Sequence, residues 1–455
     1  MIRAEIYEGK HIAVFGLAKT GLTMAKTLSA SGAHVLAFDD DEAHQKASGL
    51  EQTNLYDCDF GRIDGFAVSP GIPLTHPVPH PLVVKAKEAG VPVFGDMEIF
   101  QAARLNLPDH NLVVITGTNG KSTTTALLAH TLQACHRTAI IGGNIGVPVL
   151  GLKPLEEGGT YVFELSSFQI DLTRTLNADI AILLNITPDH LDRHGDMSGY
   201  VSAKRRLFEM QGANQVAVIG IDDENGRAFA SSLKQRVIPI SVLGRVACGV
   251  FVEEGILYDA IDGAPSKKGS LGKCNSLRGI HNHQNAAAVY AAASVLGLEG
   301  PEILSAFLSF PGLAHRLQPI TTINNVHYVN DSKASNTGAA AKALAAYDNI
   351  YWIAGGRFKE DSLGAVLAEL SAVKKAYLIG EVAQDFERFI AGKIPTRTSG
   401  TIDQAVKDAS EDAQKAGGGV VLLAPACASF DQFPNFEKRG EAFITAVEKI
   451  IGEGS

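Results

Sequence analysis

Residues 111–123 read Asn111-Leu112-Val113-Val114-Ile115-Thr116-Gly117-Thr118-Asn119-Gly120-Lys121-Ser122-Thr123. The apolar run over 111–116 reads as a strand that enters a glycine-containing loop directly, and the Thr/Ala/Leu-rich stretch behind the loop reads as a helix. Backbone N–H groups at such a turn, aided by the helix N-terminus, wrap phosphate oxygens. Lys121 then neutralises phosphate charge and the Ser122 hydroxyl suits Mg²⁺. The spacing departs from the usual eight-residue loop, since Ile115 stands five before Gly120 where that loop has glycine. The alternative, an ordinary glycine turn with a solvated lysine, leaves the coincidence of strand, loop, Lys, Ser and helix unexplained.

Working outward, apolar runs alternate with helix-period segments along most of the chain, the pattern of parallel sheets covered by helices. At 455 residues and roughly 150 residues per domain, about three domains are expected. In the first block, 11–17 reads as a strand, 20–30 as a helix and 34–39 as a second strand, with a further strand at 91–94 and an end near Phe100. The second block holds strands at 111–116, 161–164, 180–185 and 215–219, then short β-like pieces over 237–277 that suggest an antiparallel appendage, then a helix over 282–298. A hinge is expected near Pro311-Gly312, followed by strands at 326–330, 350–354, 376–379 and 420–423. The expected domains are therefore 1–100, 101–312 and 313–455.

Candidate site residues gather at the ends of these strands, where open parallel sheets place their ligands. Glu164, in Glu164-Leu165-Ser166-Ser167-Phe168, and His190, in Asn185-Ile186-Thr187-Pro188-Asp189-His190, are natural Mg²⁺ ligands beside a phosphate. His190 and His194 are four apart, but Leu191 stands where a zinc-protease motif needs Glu. Lys204 reads, on charge alone, as part of a solvated basic face with Arg205 and Arg206. In the third block, Asp331 of Asn330-Asp331-Ser332-Lys333 can accept a ribose hydroxyl, and Lys333 can meet an anion. Equally, the stretch can be a plain helix cap. Arg316 lies just past the hinge, where it can swing onto a phosphate as domains close. Asn282 and Asn285, three apart at a helix start, suit a base or ribose better than His281 and His283 suit a metal.

Taken together, these motifs resemble the ATP-dependent Mur ligases of bacterial cell-wall synthesis, over essentially the whole chain. Gly117 to Thr123, Glu164 to Phe168, His190, Lys204, Gly279 to Asn285, His315-Arg316 and Asp331-Ser332-Lys333 follow in the family order. The resemblance implies an α/β fold of three domains: a Rossmann-like N-terminal domain for a UDP-substrate, a central P-loop-type ATPase domain with a mostly parallel sheet, and a Rossmann-like C-terminal domain for an amino acid. It implies ATP and two Mg²⁺ ions as cofactors. Ser69-Pro70-Gly71-Ile72 and the stretch from Ala428 to Gly440 point, within the family, to UDP-N-acetylmuramoyl-L-alanine and D-glutamate as substrates.

Residue by residue, the resemblance implies that Gly117, Thr118, Asn119, Gly120, Lys121, Ser122 and Thr123 hold the phosphates, with Asn282, Asn285, Arg316 and Asp331 on the rest of ATP. Ser122, Glu164, His190 and Lys204 serve the metals, and Lys121, His190, Lys204 and Lys333 the chemistry. Leu17, Thr20, Asp39, Ser69 and Gly71 fall to the uridine nucleotide, and Asn144 and Ser166 to the muramoyl-alanine part. Lys333, Ser335, Lys359, Ser429 and Phe436 surround D-glutamate; Ser335 stands where the family is expected to have Thr. Lys204 is implied to be carbamylated. An ammonium about 4 Å from a divalent ion is repelled by roughly 8 kcal/mol at an effective dielectric near 20, so a plain lysine there is disfavoured. The rivals are a folylpolyglutamate synthetase-like ligase, against which the uridine-type first domain speaks, and a nucleotide-dependent switch.

Composition sets the setting. Hydrophobic residues at 45% exclude a disordered chain, and 40 basic against 49 acidic residues give −9, which excludes a general basic field for nucleic acid. Five scattered cysteines, Cys58, Cys135, Cys248, Cys274 and Cys427, fit reduced thiols. No apolar stretch suits a secretory signal or a membrane span. A cytoplasmic monomer without nucleic-acid or membrane partners is expected.

Overall fold

The computed structural model describes residues 2–358 and 362–453, and its strands form three sheets. The first contains β1 (His11–Phe15), β2 (His34–Phe38), β3 (Gly65–Val68) and β4 (Val93–Phe94) in the order β2-β1-β3-β4, all parallel.

The second sheet contains β5 (His110–Thr116), β6 (Ala139–Gly143), β7 (Gly159–Glu164), β8 (Ile180–Leu183), β9 (Val216–Gly220), β10 (Arg236–Ser241), β11 (Val250–Glu253), β12 (Ile256–Asp259) and β13 (Ser266–Ser270). Their order is β13-β12-β11-β10-β9-β8-β5-β7-β6. Leu112, Val113, Val114 and Ile115 of β5 are wholly buried, as a central strand covered on both faces requires. β5 has β7 on one side and β8 on the other, so the chain reverses its winding there and opens a crevice at the strand ends. The expected antiparallel appendage is shorter than the 237–277 pattern suggests. β10 and β11 extend the parallel sheet, and only the β11–β12 and β12–β13 pairs are antiparallel. Gly249 permits this, because a side chain there would collide with the Pro239 carbonyl as the chain returns.

The third sheet contains β14 (Gln318–Ile323), β15 (Val326–Asn330), β16 (Ile350–Gly355), β17 (Val373–Ile379), β18 (Thr396–Gly400) and β19 (Gly419–Leu423), ordered β14-β15-β19-β16-β17-β18. All pairs are parallel except β14 with β15.

By contact the chain forms two compact units. One comprises the residues up to Ser270 with Gln284–Phe307, the other Leu271–His283 with the residues from Leu308 onward. In the first unit a continuous apolar core joins the first two sheets, with Phe100 set edge-to-face against Tyr161 at 5.4 Å and Phe163 at 5.0 Å. The second unit has a core on each face of its sheet, one around Trp352 and Leu422, the other around Tyr377 and Phe443.

Candidate active site

The loop after β5 leads into the helix Lys121–Ala134, with Gly120 left-handed at φ 87°. A side chain on Gly120 would strike Asn285 Oδ1. The loop is held from the end of β8: Asn185 accepts from the Asn119 N–H at 2.9 Å and donates to the Asn119 carbonyl at 3.2 Å. Thr118 Oγ1 donates to the Thr187 carbonyl at 3.1 Å and accepts from the Thr187 N–H at 3.0 Å. Lys121 Nζ donates to the Gly117 and Thr118 carbonyls, both at 2.9 Å, which folds its charge over the loop.

Glu164 closes β7 beside Ile115 of β5 and Gly143 of β6. Its Oε1 accepts from Asn144 Nδ2 at 2.8 Å, whereas the buried Oε2 meets no donor among the described residues. A buried carboxylate oxygen left without a donor is costly, and a cation relieves it. The donor set fits Mg²⁺: Glu164 and the Ser122 hydroxyl are hard oxygen ligands. Among the described residues no three His, Cys, Asp or Glu side chains converge.

Lys204 is not on a solvated face. It is 1% exposed, donates to the Gly117 carbonyl at 3.0 Å and lies 4.7 Å from the Tyr200 ring centre. Burial first, then the Lys121 ammonium, push it down to about 7. Its neighbours Arg205 and Arg206 pair instead with Glu209 and Asp171. His190, left-handed at φ 53°, heads the turn Leu191–His194 with its ring 4.9 Å from Phe168. Ser166 caps the helix Ser167–Asp171 in a reciprocal pair with Gln169.

At the ends of β1 and β3, Ser69 donates to the Gly16 carbonyl at 2.6 Å, and a side chain on Gly21 would collide with the same carbonyl. Asp39 accepts from the N–H groups of Leu17 and Asp41, so its carboxylate shapes the turn that carries Leu17 and Thr20. Gly71 gives its carbonyl to Arg193 at 2.8 Å.

In the second unit, β15 ends at Asn330 and the turn Asp331-Ser332-Lys333 follows. Asp331 is buried, which pushes its carboxyl up to about 7 against the opposing pull of the Leu317 backbone and Arg316. Lys333 Nζ lies 3.9 Å over the Phe436 ring. Ser335 N–H donates to the Lys333 carbonyl at 2.7 Å, and Ser429 is buried after β19. Asn282 donates to the Arg278 carbonyl at 2.9 Å. Lys359 lies outside the described residues.

Residues 115–293 match the Mur ligase middle domain, and residues 315–427 match the Mur ligase glutamate ligase domain. The chain belongs to the Mur ligase family. A UDP-N-acetylmuramoylalanine–D-glutamate ligase of Phenylobacterium zucineum is 46% identical over 99% of this chain and 98% of its own length. That of Caulobacter vibrioides is 44% identical over 100% and 99%. Among solved structures, UDP-N-acetylmuramate–alanine ligase from Thermotoga maritima superposes with a TM-score of 0.57 at 16% identity, covering 97% of this chain and 99% of that one. MurF from Acinetobacter baumannii gives 0.57 at 17%, covering 98% and 93%. These two share the fold.

Mur ligases are ATP-dependent ligases of peptidoglycan precursors, and the loop after β5 in this Mur ligase is organised by residues to which the motif reading gave no role. Asn185 and Thr187 hold the loop. Asn185 stands at the end of an expected strand, which was the available signal. Arg439 is 1% exposed and binds the Ser332 hydroxyl and carbonyl at 3.1 and 2.8 Å. It lies over a hundred residues from the turn it braces, and the stretch 428–440 that contains it gave it no role of its own.

Proposed function

We propose that this Mur ligase joins D-glutamate to UDP-N-acetylmuramoyl-L-alanine, using ATP, in the assembly of peptidoglycan precursors. The observation that carries the reading is the 46% identity, along the whole chain, to a protein named for that reaction. The muramoyl-alanine carboxylate takes the γ-phosphoryl group, giving an acyl phosphate and ADP. The D-glutamate amine attacks the acyl carbon, and the tetrahedral intermediate expels phosphate as the amide forms.

Each side chain has a physical task in that sequence. Lys121 and the loop Gly117 to Thr123 neutralise and orient phosphate oxygens, the N–H groups of Thr118 and Asn119 being already bound to Asn185. Asn282, Asn285, Asp331 and Arg316 hold the rest of the nucleotide. Glu164, Ser122, His190 and Lys204 as its carbamate would hold two Mg²⁺ ions, which when bound offset the charge gathered at the transferring phosphoryl group. The Glu164 oxygen without a donor supports this assignment. Leu17, Thr20, Asp39, Ser69 and Gly71 take the uridine diphosphate part, Asn144 and Ser166 the muramoyl-alanine part. Lys333, Ser335, Lys359, Ser429 and Phe436 take D-glutamate, the lysines meeting its carboxylates. The division 1–100, 101–312 and 313–455 follows these tasks. The enzyme acts as a cytoplasmic monomer; among the described residues no helix is long and apolar enough to cross a membrane.

The test is incubation with ATP, Mg²⁺, UDP-N-acetylmuramoyl-L-alanine and each of several amino acids, following phosphate release and product mass. D-glutamate alone should give both. Phosphate release indifferent to D-glutamate overturns the reading.

A further inference from the structure

The buried Ser167 and His194 and the half-buried Asp171 form a polar chain that none of the tasks above uses. His194 Nε2 lies 2.9 Å from Ser167 Oγ, and its Nδ1 lies 3.4 Å from Asp171 Oδ2. The imidazole side chain is 4% exposed and packs against the rings of Phe168 at 5.6 Å and Tyr200 at 5.4 Å. The three residue types match a nucleophilic triad, but Ser167 is 2% exposed, so the chain is a brace.

What it braces is given by the segments it joins. Ser167 follows Glu164 by three residues, at the start of the helix Ser167–Asp171. The His194 N–H donates to the His190 carbonyl at 3.2 Å and so closes the turn that His190 heads. The helix Met197–Glu209, which carries Lys204, begins against the same residue: a side chain on Gly199 would collide with the His194 carbonyl. Arg206 of that helix reaches Asp171 at 3.5 Å. The Nε2 contact with Ser167 and the packing against Phe168 and Tyr200 hold the imidazole in one orientation, with the Asp171 carboxylate beside Nδ1, so the ring ties together the segments attached to it.

We propose that His194 is a positioning residue: held between Ser167 and Asp171, it sets the separation of the Glu164, His190 and Lys204 segments. Its kinetic consequence rests on the ligase reading above; its effect on local opening of the backbone does not. Misplacement of reacting groups by about 1 Å costs about 10²-fold in rate, so a lost brace should appear in turnover while D-glutamate binding, assigned to other residues, is spared.

The experiment compares His194→Phe, which keeps a ring against Phe168 and Tyr200 but removes both nitrogens, with Ser167→Ala and the double variant. Each single variant is expected to lose about 10- to 100-fold in kcat with KM for D-glutamate unchanged. The double variant should lose no more than the worse single, because both remove one interaction. Amides over 165–171 and 191–206 should exchange hydrogen faster together in all three, and the rest of the unit should not. Should His194→Phe fail to fold, His194→Gln, able to serve one partner at a time, should give an intermediate loss with the same exchange pattern. Wild-type kcat and exchange in folded variants, losses that multiply, or faster exchange throughout the unit would each overturn the proposal. If the wild-type protein itself makes no D-glutamyl product, the ligase reading fails, and the exchange pattern alone judges the brace.

Discussion

Lys204 places its Nζ 3.0 Å from the carbonyl oxygen of Gly117, the first residue after β5. Burial, then the Lys121 ammonium, push this lysine down to about 7, and in its neutral form the amine can add its lone pair to CO₂, forming an N–C bond and releasing a proton to leave a carbamate.

Lys204→Ala should therefore lose about 10²-fold or more in turnover and regain part of it with short carboxylic acids, measured as phosphate release with and without added acid. Carbon-13-labelled CO₂ should give a carbamate signal in wild-type protein that is absent from the variant. Full activity of the untreated variant overturns the assignment.

Glu164→Gln keeps the shape of the side chain and its contact with Asn144, and removes a buried charge that lacks one partner. Without metal its melting temperature should equal or exceed that of the wild type. Product formation should fall about 10²-fold, and the Mg²⁺ concentration needed for half-maximal rate should rise. Unchanged Mg²⁺ dependence would remove Glu164 from the metal site.

Gly120→Ala asks a left-handed residue to carry a side chain directed at Asn285 Oδ1. The backbone alone costs about 1–2 kcal/mol, with the collision added. A lower melting temperature and a raised KM for ATP are expected, with KM for D-glutamate unaffected.

Burial disfavours the Asp331 charge and pushes its carboxyl up from 3.8 to about 7 in the folded protein. As pH rises from 3.8 the unfolded chain releases this proton first, so the folded state loses stability progressively up to about 7, and the penalty is complete above it. Asp331→Asn should remove a penalty on the order of 1–4 kcal/mol at pH 8, and the difference from wild type should vanish towards pH 4. Denaturant unfolding at several pH values measures it. Nucleotide affinity should fall in the same variant.

Much of this was legible in one dimension because it is local. The strands at 111–116, 161–164, 326–330 and 420–423 are apolar runs that a buried parallel sheet requires, and β5, β7, β15 and β19 lie there. The loop Gly117 to Thr123 announces itself because phosphate binding needs glycine, lysine and a hydroxyl within one turn. β6 at Ala139–Gly143 and β18 at Thr396–Gly400 were not read as strands. The first ends in two glycines and the second is a polar edge, so neither shows the burial pattern. β10 and β11 were assigned to an antiparallel appendage because strand direction depends on pairing partners, which spacing along the chain does not encode.

What the sequence by itself determined is the family, the parallel α/β architecture and the residue types of the site, since each depends on composition and spacing within a few turns of chain. What only the tertiary structure decided is the environment of those residues. Lys204 looks like one of three surface cations in sequence, and becomes a buried amine against the Gly117 carbonyl because its helix packs with that face inward. Glu164 acquires an oxygen without a donor, Asp331 a raised carboxyl, and Ser332 its Arg439 brace, through groups brought from distant positions. Burial and long-range hydrogen bonding set charge state and orientation, and both arise only when the chain has closed on itself.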